Sequence, residues 1–168
     1  MPYAPRILCV AAALIPVLAF PLATWAQEGV KGKIGAWEMR CKALADSSKE
    51  ACGITQTVQS EDDRNVGIAV VIIKPAEAKT AIMRVIAPAG VFLVNGVTLK
   101  VDQTDIGRAS FFRCAPERCH ADVPLNDKLL EQLEQGRIAT FVIYMEPEQG
   151  LRHQVLLEGL KEAVKRLH

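Results

Sequence analysis

Apolar and polar residues alternate along much of the chain, and a period of two is typical of strands that bury one face. In residues 36–41, Trp37, Met39 and Cys41 occupy one face while Glu38 and Arg40 occupy the other. The same reasoning predicts strands at residues 52–58, 67–73, 81–87, 91–94, 97–101, 109–114, 119–123, 138–145 and 151–157. The sequence therefore predicts a mainly β protein.

Two local patterns place particular strands. Residues 67–73 are apolar on both faces and rich in β-branched side chains, which predicts a strand buried on both sides in the middle of the fold. The dipeptide Asn95-Gly96 tolerates positive φ and favours a tight turn, so we expect residues 91–94 and 97–101 to pair as a hairpin. Residues 42–51 are polar and predict a loop.

Two short helices complete the pattern. Asn126 is suited to cap a helix near residues 126–135, and Gly136 is suited to end it in the left-handed conformation. A second helix is predicted at residues 160–167. Each has one apolar stripe: Leu129, Leu130 and Leu133 in the first, and Leu160, Val164 and Leu167 in the second. Many short strands with two minor helices predict an antiparallel β-sandwich.

The first residues have the pattern of a secretory signal. Arg6 precedes an apolar run at residues 7–23, and small residues lead to a cleavage site after Ala26. The alternative is a retained membrane anchor, but Pro16 and Pro21 interrupt the run. Cys9 lies at the front of the run, which is the wrong end for a lipoprotein acceptor. We expect residues 1–26 to be removed and residues 27–168 to form a single domain without a transmembrane segment.

The charge balance argues against nucleic acid as a partner. Arg6 is the only charged residue of the predicted signal, so the rest of the chain has 19 basic and 19 acidic residues and no net charge. Nucleic-acid-binding domains usually carry a basic surface. Length and charge do not indicate the oligomeric state.

Four cysteines remain after the signal, and an even number in an exported chain indicates disulfides. Three pairings are possible. Each half of the chain holds a close pair across a polar stretch, which favours Cys41 with Cys52 and Cys114 with Cys119. On the loop-entropy model each bond would contribute about 2 to 3 kcal/mol.

Other chemistries fit the sequence less well. Cys114, Cys119 and His120 could form part of a zinc site if Cys41 and Cys52, or His153, completed it, but exported thiols tend to oxidise first. Neither cysteine pair has the Cys-x-x-Cys spacing of a redox site. The hydrolase motifs Gly-x-Ser-x-Gly, Ser-x-x-Lys and His-Glu-x-x-His do not occur. We therefore predict no catalytic, cofactor or metal residues.

Three further features have a structural interpretation beside a functional one. Trp37 could be an exposed ligand platform, but its position beside Met39 favours the core. His153 and His168 are expected to be exposed rather than catalytic. The acidic residues 61–63 could bind calcium, although a single cluster is usually only solvated.

The landmarks of the sequence resemble one family. They are residues 34–41 (IGAWEMRC), residues 52–56 (CGITQ), residues 90–102, residues 112–121 and the closing residues 157–160 (LEGL). Their order resembles the invasion-associated locus B family of alphaproteobacteria, although Ile34 stands where an aromatic residue is usual. The resemblance implies an immunoglobulin-like sandwich, export to the periplasm or envelope, and structural cysteines. It supplies no catalytic residue, cofactor or ligand.

The predicted function is an exported, non-enzymatic binding protein of the periplasm or cell envelope. Its partner would be another protein of the envelope or of a host surface, and the resemblance implies an accessory role in host interaction. The alternatives are a structural or stress-related envelope protein with no host role, and an unrecognised periplasmic enzyme. A deep pocket with clustered titratable side chains would favour the enzyme.

Overall fold

A computed structural model of the chain describes residues 29–43, 50–75, 78 and 80–167. The predicted signal at residues 1–26 and the terminal His168 lie outside the described residues.

The described residues form eleven strands and two α-helices. The strands are β1 (Gly29–Ile34), β2 (Trp37–Ala43), β3 (Glu50–Gln59), β4 (Gly67–Ile73), β5 (Ala81–Pro88), β6 (Val97–Val101), β7 (Thr104–Ala109), β8 (Phe111–Cys114), β9 (Arg118–Leu125), β10 (Ile138–Tyr144) and β11 (Gly150–Leu156). The helices are α1 (Asp127–Gln135) and α2 (Leu160–Lys165), and a 3₁₀ helix covers Leu93–Asn95.

The strands form two antiparallel sheets. The larger sheet has seven strands in the order β1-β2-β3-β4-β5-β9-β8, and the smaller has four in the order β11-β10-β6-β7. The chain builds β1 to β5 in succession, crosses to the smaller sheet for β6 and β7, and returns at Ser110 to form β8 and β9. The predicted mainly β sandwich with two helices is confirmed.

The two sheets bury one core because every second side chain of a strand points to the same face. In β4, Ile68, Val70 and Ile72 are buried, and the same alternation runs through β5, β10 and β11. The large side chains exposed by at most 1% come from both sheets and both helices, and they include Trp37, Ile54, Met83, Phe141, Ile143, Leu133 and Leu160. The helices therefore extend the core that the sheets share.

Side-chain hydrogen bonds close one side of the sandwich along the edge strand β11. The Gln56 amide donates to the Leu156 carbonyl and accepts from its N–H, both at 2.9 Å. The Asp62 carboxylate accepts from the backbone N–H and the guanidinium of Arg152, both at 2.8 Å. Edge strands carry unpaired backbone groups that invite pairing with other chains. These bonds occupy two residues of that edge.

The apolar pattern does not predict β1 and β7. Both strands lie at the margin of a sheet, where they pair with one neighbour. Their sequences, GVKGKI and TDIGRA, contain few apolar residues. A marginal strand buries little of its surface, so it needs no regular apolar face.

The predicted hairpin around Asn95-Gly96 is wrong. Leu93–Asn95 forms a 3₁₀ helix, and β6 pairs with β7 and β10. Gly96 has the expected positive φ of 61°, but a Cβ there would lie 2.4 Å from the Ala109 carbonyl oxygen. The Asn95 amide donates to the Pro147 carbonyl at 2.8 Å. The dipeptide therefore docks the segment onto its neighbours instead of reversing the chain.

Three other expectations need correction. β4 is central, but only one face is fully buried, since Ala69, Val71 and Ile73 remain partly exposed. Gly136 has a φ of −74° and is not left-handed, although a Cβ there would lie 2.5 Å from the Val101 side chain. Of the predicted loop at residues 42–51, residues 42 and 43 belong to β2 and residues 50 and 51 to β3, and residues 44–49 lie outside the described residues.

Candidate functional site

The four cysteines predicted as site residues form two disulfides in the larger sheet. The sulfur atoms of Cys41 and Cys52 are 2.06 Å apart, and those of Cys114 and Cys119 are 2.02 Å apart. Each bond joins residues directly opposite each other on neighbouring strands, and the pairs are the local ones that the spacing favours. Bonded sulfurs offer no thiolate, so these cysteines do not provide the ligands of a zinc site.

Trp37 and the acidic turn have structural roles. Trp37 is 1% exposed, which confirms the core interpretation. Asp62 is the acidic residue that bonds Arg152, and the Arg152 guanidinium lowers the pKa of its carboxyl to about 2. The Asp62 carboxylate is thus engaged by a cation and holds the turn against β11.

The expectation that His153 is exposed is wrong. Its side chain is fully buried because it lies on the same face of β11 as Leu151 and Val155. Burial lowers the pKa of the imidazole below its usual value, despite nearby carbonyl oxygens that favour the protonated form. The alternation of apolar residues around position 153 is the sequence signal that indicates this burial.

The face of the larger sheet that points away from the smaller one is partly apolar. We call it the outer face. It contains half-buried apolar side chains on the central strands β4 and β5: Val71, Ile73, Ile82 and Ile86. Polar residues are usual on the solvent side of an antiparallel sheet. The outer face is therefore more apolar than the usual solvent-facing side of an antiparallel sheet.

A cluster of four side chains lies on β5, β8 and β9, towards the margin of the outer face that β8 forms. We call it the Phe112 cluster, and it consists of Phe112, Arg84, Asp122 and His120. The Arg84 guanidinium donates two hydrogen bonds to the Asp122 carboxylate, at 2.7 and 2.8 Å. Its central carbon lies 5.4 Å from the centre of the Phe112 ring. The rings of Phe112 and His120 have centroids 6.4 Å apart.

The electrostatics of the cluster follow from these contacts. The hydrogen bonds to Asp122 raise the pKa of Arg84. Partial burial, together with the positive charges of Arg84 and Arg113, lowers the pKa of His120. At neutral pH the cluster therefore presents an aromatic ring, a neutral imidazole and a compensated ion pair. Phe112 itself is 57% exposed, although it is a large apolar side chain.

Sequence reasoning missed this cluster. Arg84 and Asp122 are 38 positions apart, and they meet only because β5 pairs with β9 in the register that opposes them. The sequence gives one local indication of this surface. Ile82 and Ile86 are apolar, although they share with Arg84 the side of β5 that should face solvent.

A cleft of about 430 Å³ opens between the two sheets beside α1. We call it the sandwich cleft. Its lining residues are Val85, Val97, Leu99, Ile106, Gly107, Arg108, Ala109, Asp122, Val123, Pro124, Asn126, Lys128, Leu129, Gln132 and Phe141. None of these described residues is a serine, threonine, cysteine, histidine or tyrosine. Its charged lining residues are Arg108, Asp122 and Lys128.

Within the described residues, no helix has the length and apolar character needed to cross a membrane.

Residues 37–168 match the family described as Invasion associated locus B (IalB) protein. The chain belongs to this family.

Members of the invasion-associated locus B family from Brucella and Bartonella resemble the chain in sequence and in fold. Two invasion protein B homologs of Brucella abortus, from strain 2308 and from biovar 1 strain 9-941, are each 25% identical over 132 residues. That alignment covers 78% of this chain and 75% of each homolog. The crystal structure of invasion associated protein B from Bartonella henselae superposes with a TM-score of 0.64 at 19% identity, covering 81% of this chain and 92% of that one.

Two of the landmarks that resemble the family meet in the structure. The turn at Gly35 packs against the turn at Gly159, and the Ala36 N–H donates to the Glu158 carbonyl at 3.1 Å. Both glycines have positive φ, 58° and 81°. A Cβ on Gly159 would lie 2.6 Å from the Ile34 carbonyl oxygen, so neither turn has room for a side chain. These landmarks therefore serve the fold.

Proposed function

We propose that this member of the invasion-associated locus B family is an exported, non-enzymatic binding protein of the cell envelope that holds another protein on its outer face. The observation that carries the proposal is the Phe112 cluster. Aromatic residues and arginine are enriched where protein interfaces concentrate their binding energy. Here an exposed phenylalanine is held beside an arginine that is itself fixed by two hydrogen bonds.

The surroundings of the cluster suit a protein partner. The neighbouring apolar side chains of β4 and β5 would form the centre of an interface together with Phe112, and the exposed Arg113 of β8 would belong to its rim. The relatives are named as invasion proteins and not as enzymes.

Export is the second part of the proposal. The apolar run at residues 7–23 and the disulfide-bonded cysteines support transport to an oxidising compartment, with residues 27–168 as one domain. We expect envelope fractions to contain a chain that begins at Gln27, which mass spectrometry of the intact protein can measure. A cytoplasmic protein that retains residues 1–26 would contradict export.

The names of the relatives suggest the finer role, an accessory factor in contact with host cells. Protease added to intact bacteria tests this role against a purely periplasmic one. If the protein acts on the host, the protease will degrade it while a periplasmic marker stays intact. Degradation only after disruption of the outer membrane would contradict surface exposure and favour a structural or stress-related envelope role.

The binding surface can be tested by crosslinking from two exposed apolar positions. A photoreactive phenylalanine at position 112 should give a discrete adduct in living cells, and one at Leu156, which is 48% exposed, should not. Once the partner is identified and purified, Phe112→Ala should weaken its binding by about tenfold or more, as expected for a central aromatic contact. Leu156→Ala should leave the affinity unchanged. Equal affinity for wild type and Phe112→Ala would rule out this surface.

A further inference from the structure

The sandwich cleft has an apolar interior. Its deepest residues come from three strands and α1, and they are the buried Val85, Val97, Leu99, Phe141 and Leu129. The partly exposed Ile106 of β7 and Val123 of β9 line the cleft nearer to solvent. A volume of about 430 Å³ falls within the roughly 300 to 1,000 Å³ of small-molecule sites. The interior offers contact to an apolar group and almost no hydrogen bonding.

The mouth of the cleft is polar and positively charged. Arg108 of β7 and Lys128 of α1 line it and are exposed. Within the described part of the chain, neither cation has an ion-pair or hydrogen-bond partner. Asp122 also lines the cleft, but Arg84 neutralises its carboxylate through two hydrogen bonds. The charge that remains unpaired at the mouth is therefore positive.

The adjacent strand edges are poorly suited to an added peptide strand. Pro124 lines the cleft and has no N–H to donate, and its carbonyl already accepts from the Asn126 N–H at 3.2 Å. In β7, Ile106 forms a bulge opposite Leu99 and Lys100. Recognition by strand addition depends on a regular run of free backbone groups. The alkyl chain of a small ligand needs no such backbone groups.

We propose that the sandwich cleft binds a free amphipathic carboxylate, with its alkyl chain between the sheets and its carboxylate at Arg108 and Lys128. The apolar floor sets the preference for an alkyl chain, and the two unpaired cations set the preference for an anionic head. A lipid held in a bilayer is a different source of the same chemistry. Monomeric ligands and anionic vesicles distinguish the two sources.

Calorimetry with octanoate, decanoate and dodecanoate, each below its micellar concentration, tests the apolar part. Each added methylene that enters the cleft should raise the affinity by about fourfold, so the three ligands should form a steep series. Amide chemical shifts of the labelled protein should change at residues of β6, β7 and α1. Absence of saturable dodecanoate binding, or shift changes confined to the outer face, would overturn the proposal.

Charge variants test the mouth. Arg108→Ala with Lys128→Ala should weaken decanoate binding by about three- to thirtyfold and leave 1-decanol binding unchanged. The matched control, Arg64→Ala with Lys165→Ala, removes the same charge from exposed positions that do not line the cleft. An equal loss in both double variants would mean that net charge, and not the mouth, attracts the ligand, which contradicts the site.

A variant with a larger side chain in the sandwich cleft tests the position of the ligand, and lipid vesicles test its source. Val123→Phe should reduce binding of every chain length, provided that circular dichroism shows an unchanged fold. Unchanged binding by folded Val123→Phe would place the ligand elsewhere and overturn the proposal. Binding to anionic phosphatidylglycerol vesicles without binding to monomeric dodecanoate would overturn the free carboxylate. Saturable binding of a peptide strand in its place would do the same.

Discussion

The imidazole of His153 lies in the core with a carbonyl oxygen near each ring nitrogen. Nδ1 is 3.1 Å from the Leu151 oxygen and Nε2 is 3.2 Å from the Val66 oxygen. A neutral ring has one N–H, so only one of these carbonyls accepts a hydrogen bond, whereas the protonated ring would donate to both. Burial nevertheless dominates and lowers the pKa of the group. The ring therefore stays neutral at a pH where an exposed histidine is protonated.

This burial predicts a loss of stability in mild acid. Since the pKa of His153 is lower in the folded than in the unfolded state, the unfolded chain binds a proton first as pH falls below about 6.5. The free energy of unfolding should then decrease, by at most about 1.4 kcal/mol per pH unit from this group, until the pH reaches the folded pKa. Urea unfolding of wild type and His153→Gln between pH 7.5 and 5 measures the difference.

The matched variant is His120→Gln. His120 is only partly buried, so its removal should change the pH dependence less than removal of His153. Identical pH profiles for wild type and His153→Gln would show that the buried ring gains its proton as easily in the folded as in the unfolded chain.

Among the elements, the contact between two turns, one before β2 and one before α2, leaves no room for a Cβ on either glycine. Gly159→Ala should lower the free energy of unfolding by about 1 to 2 kcal/mol for its left-handed backbone alone. The clash with the Ile34 carbonyl should add to this loss. Gly32→Ala is the control, because a Cβ at Gly32 would meet no atom within 4 Å. Thermal or urea unfolding compares the two, and equal stability of both variants would contradict the contact.

The elements that could be predicted from the sequence are those whose burial imposes a pattern. β4 was predicted with its observed bounds, and α1 was recognised by its capping residue Asn126, which accepts from the Leu129 N–H at 2.9 Å. β1 and β7 bury too little to show a pattern. The Asn95-Gly96 dipeptide predicted the positive φ of Gly96 correctly but predicted the wrong hairpin. A local preference determines a backbone angle, and it does not determine which strands pair.

The candidate sites were harder to predict than the elements. The Phe112 cluster needs the register of β5 against β9, and the sandwich cleft needs both sheets and α1. No short stretch of sequence contains that information. The cysteines were the exception, because the close spacing within each pair already favoured the bonds that the structure contains.

At the scale of the whole molecule, both disulfides lie in the larger sheet and neither joins it to the smaller one. Cohesion between the sheets therefore rests on the shared apolar core and on bonds such as those of Gln56. Each disulfide instead ties two neighbouring strands, one pair towards each margin of the sheet.

Protein from the envelope should accordingly contain no free thiol in the mature chain. Peptide mapping without reductant should recover Cys41 with Cys52 and Cys114 with Cys119. Replacing either pair by serines should lower the free energy of unfolding by about 2 to 3 kcal/mol, with little coupling between the pairs because they lie on different strands. Crossed pairs in the map would contradict the register, and four free thiols would reopen metal binding.

The order of the cysteine pairs along the chain affects how the disulfides form during export. After the predicted signal, the first cysteine bonds to the second and the third to the fourth, so oxidation in the order of synthesis gives the correct pairs. An oxidase that joins thiols as they emerge would form Cys41–Cys52 before Cys114 is available, and no incorrect bond would have to be broken. Production of this protein should therefore depend on an oxidase and be indifferent to the loss of a disulfide isomerase.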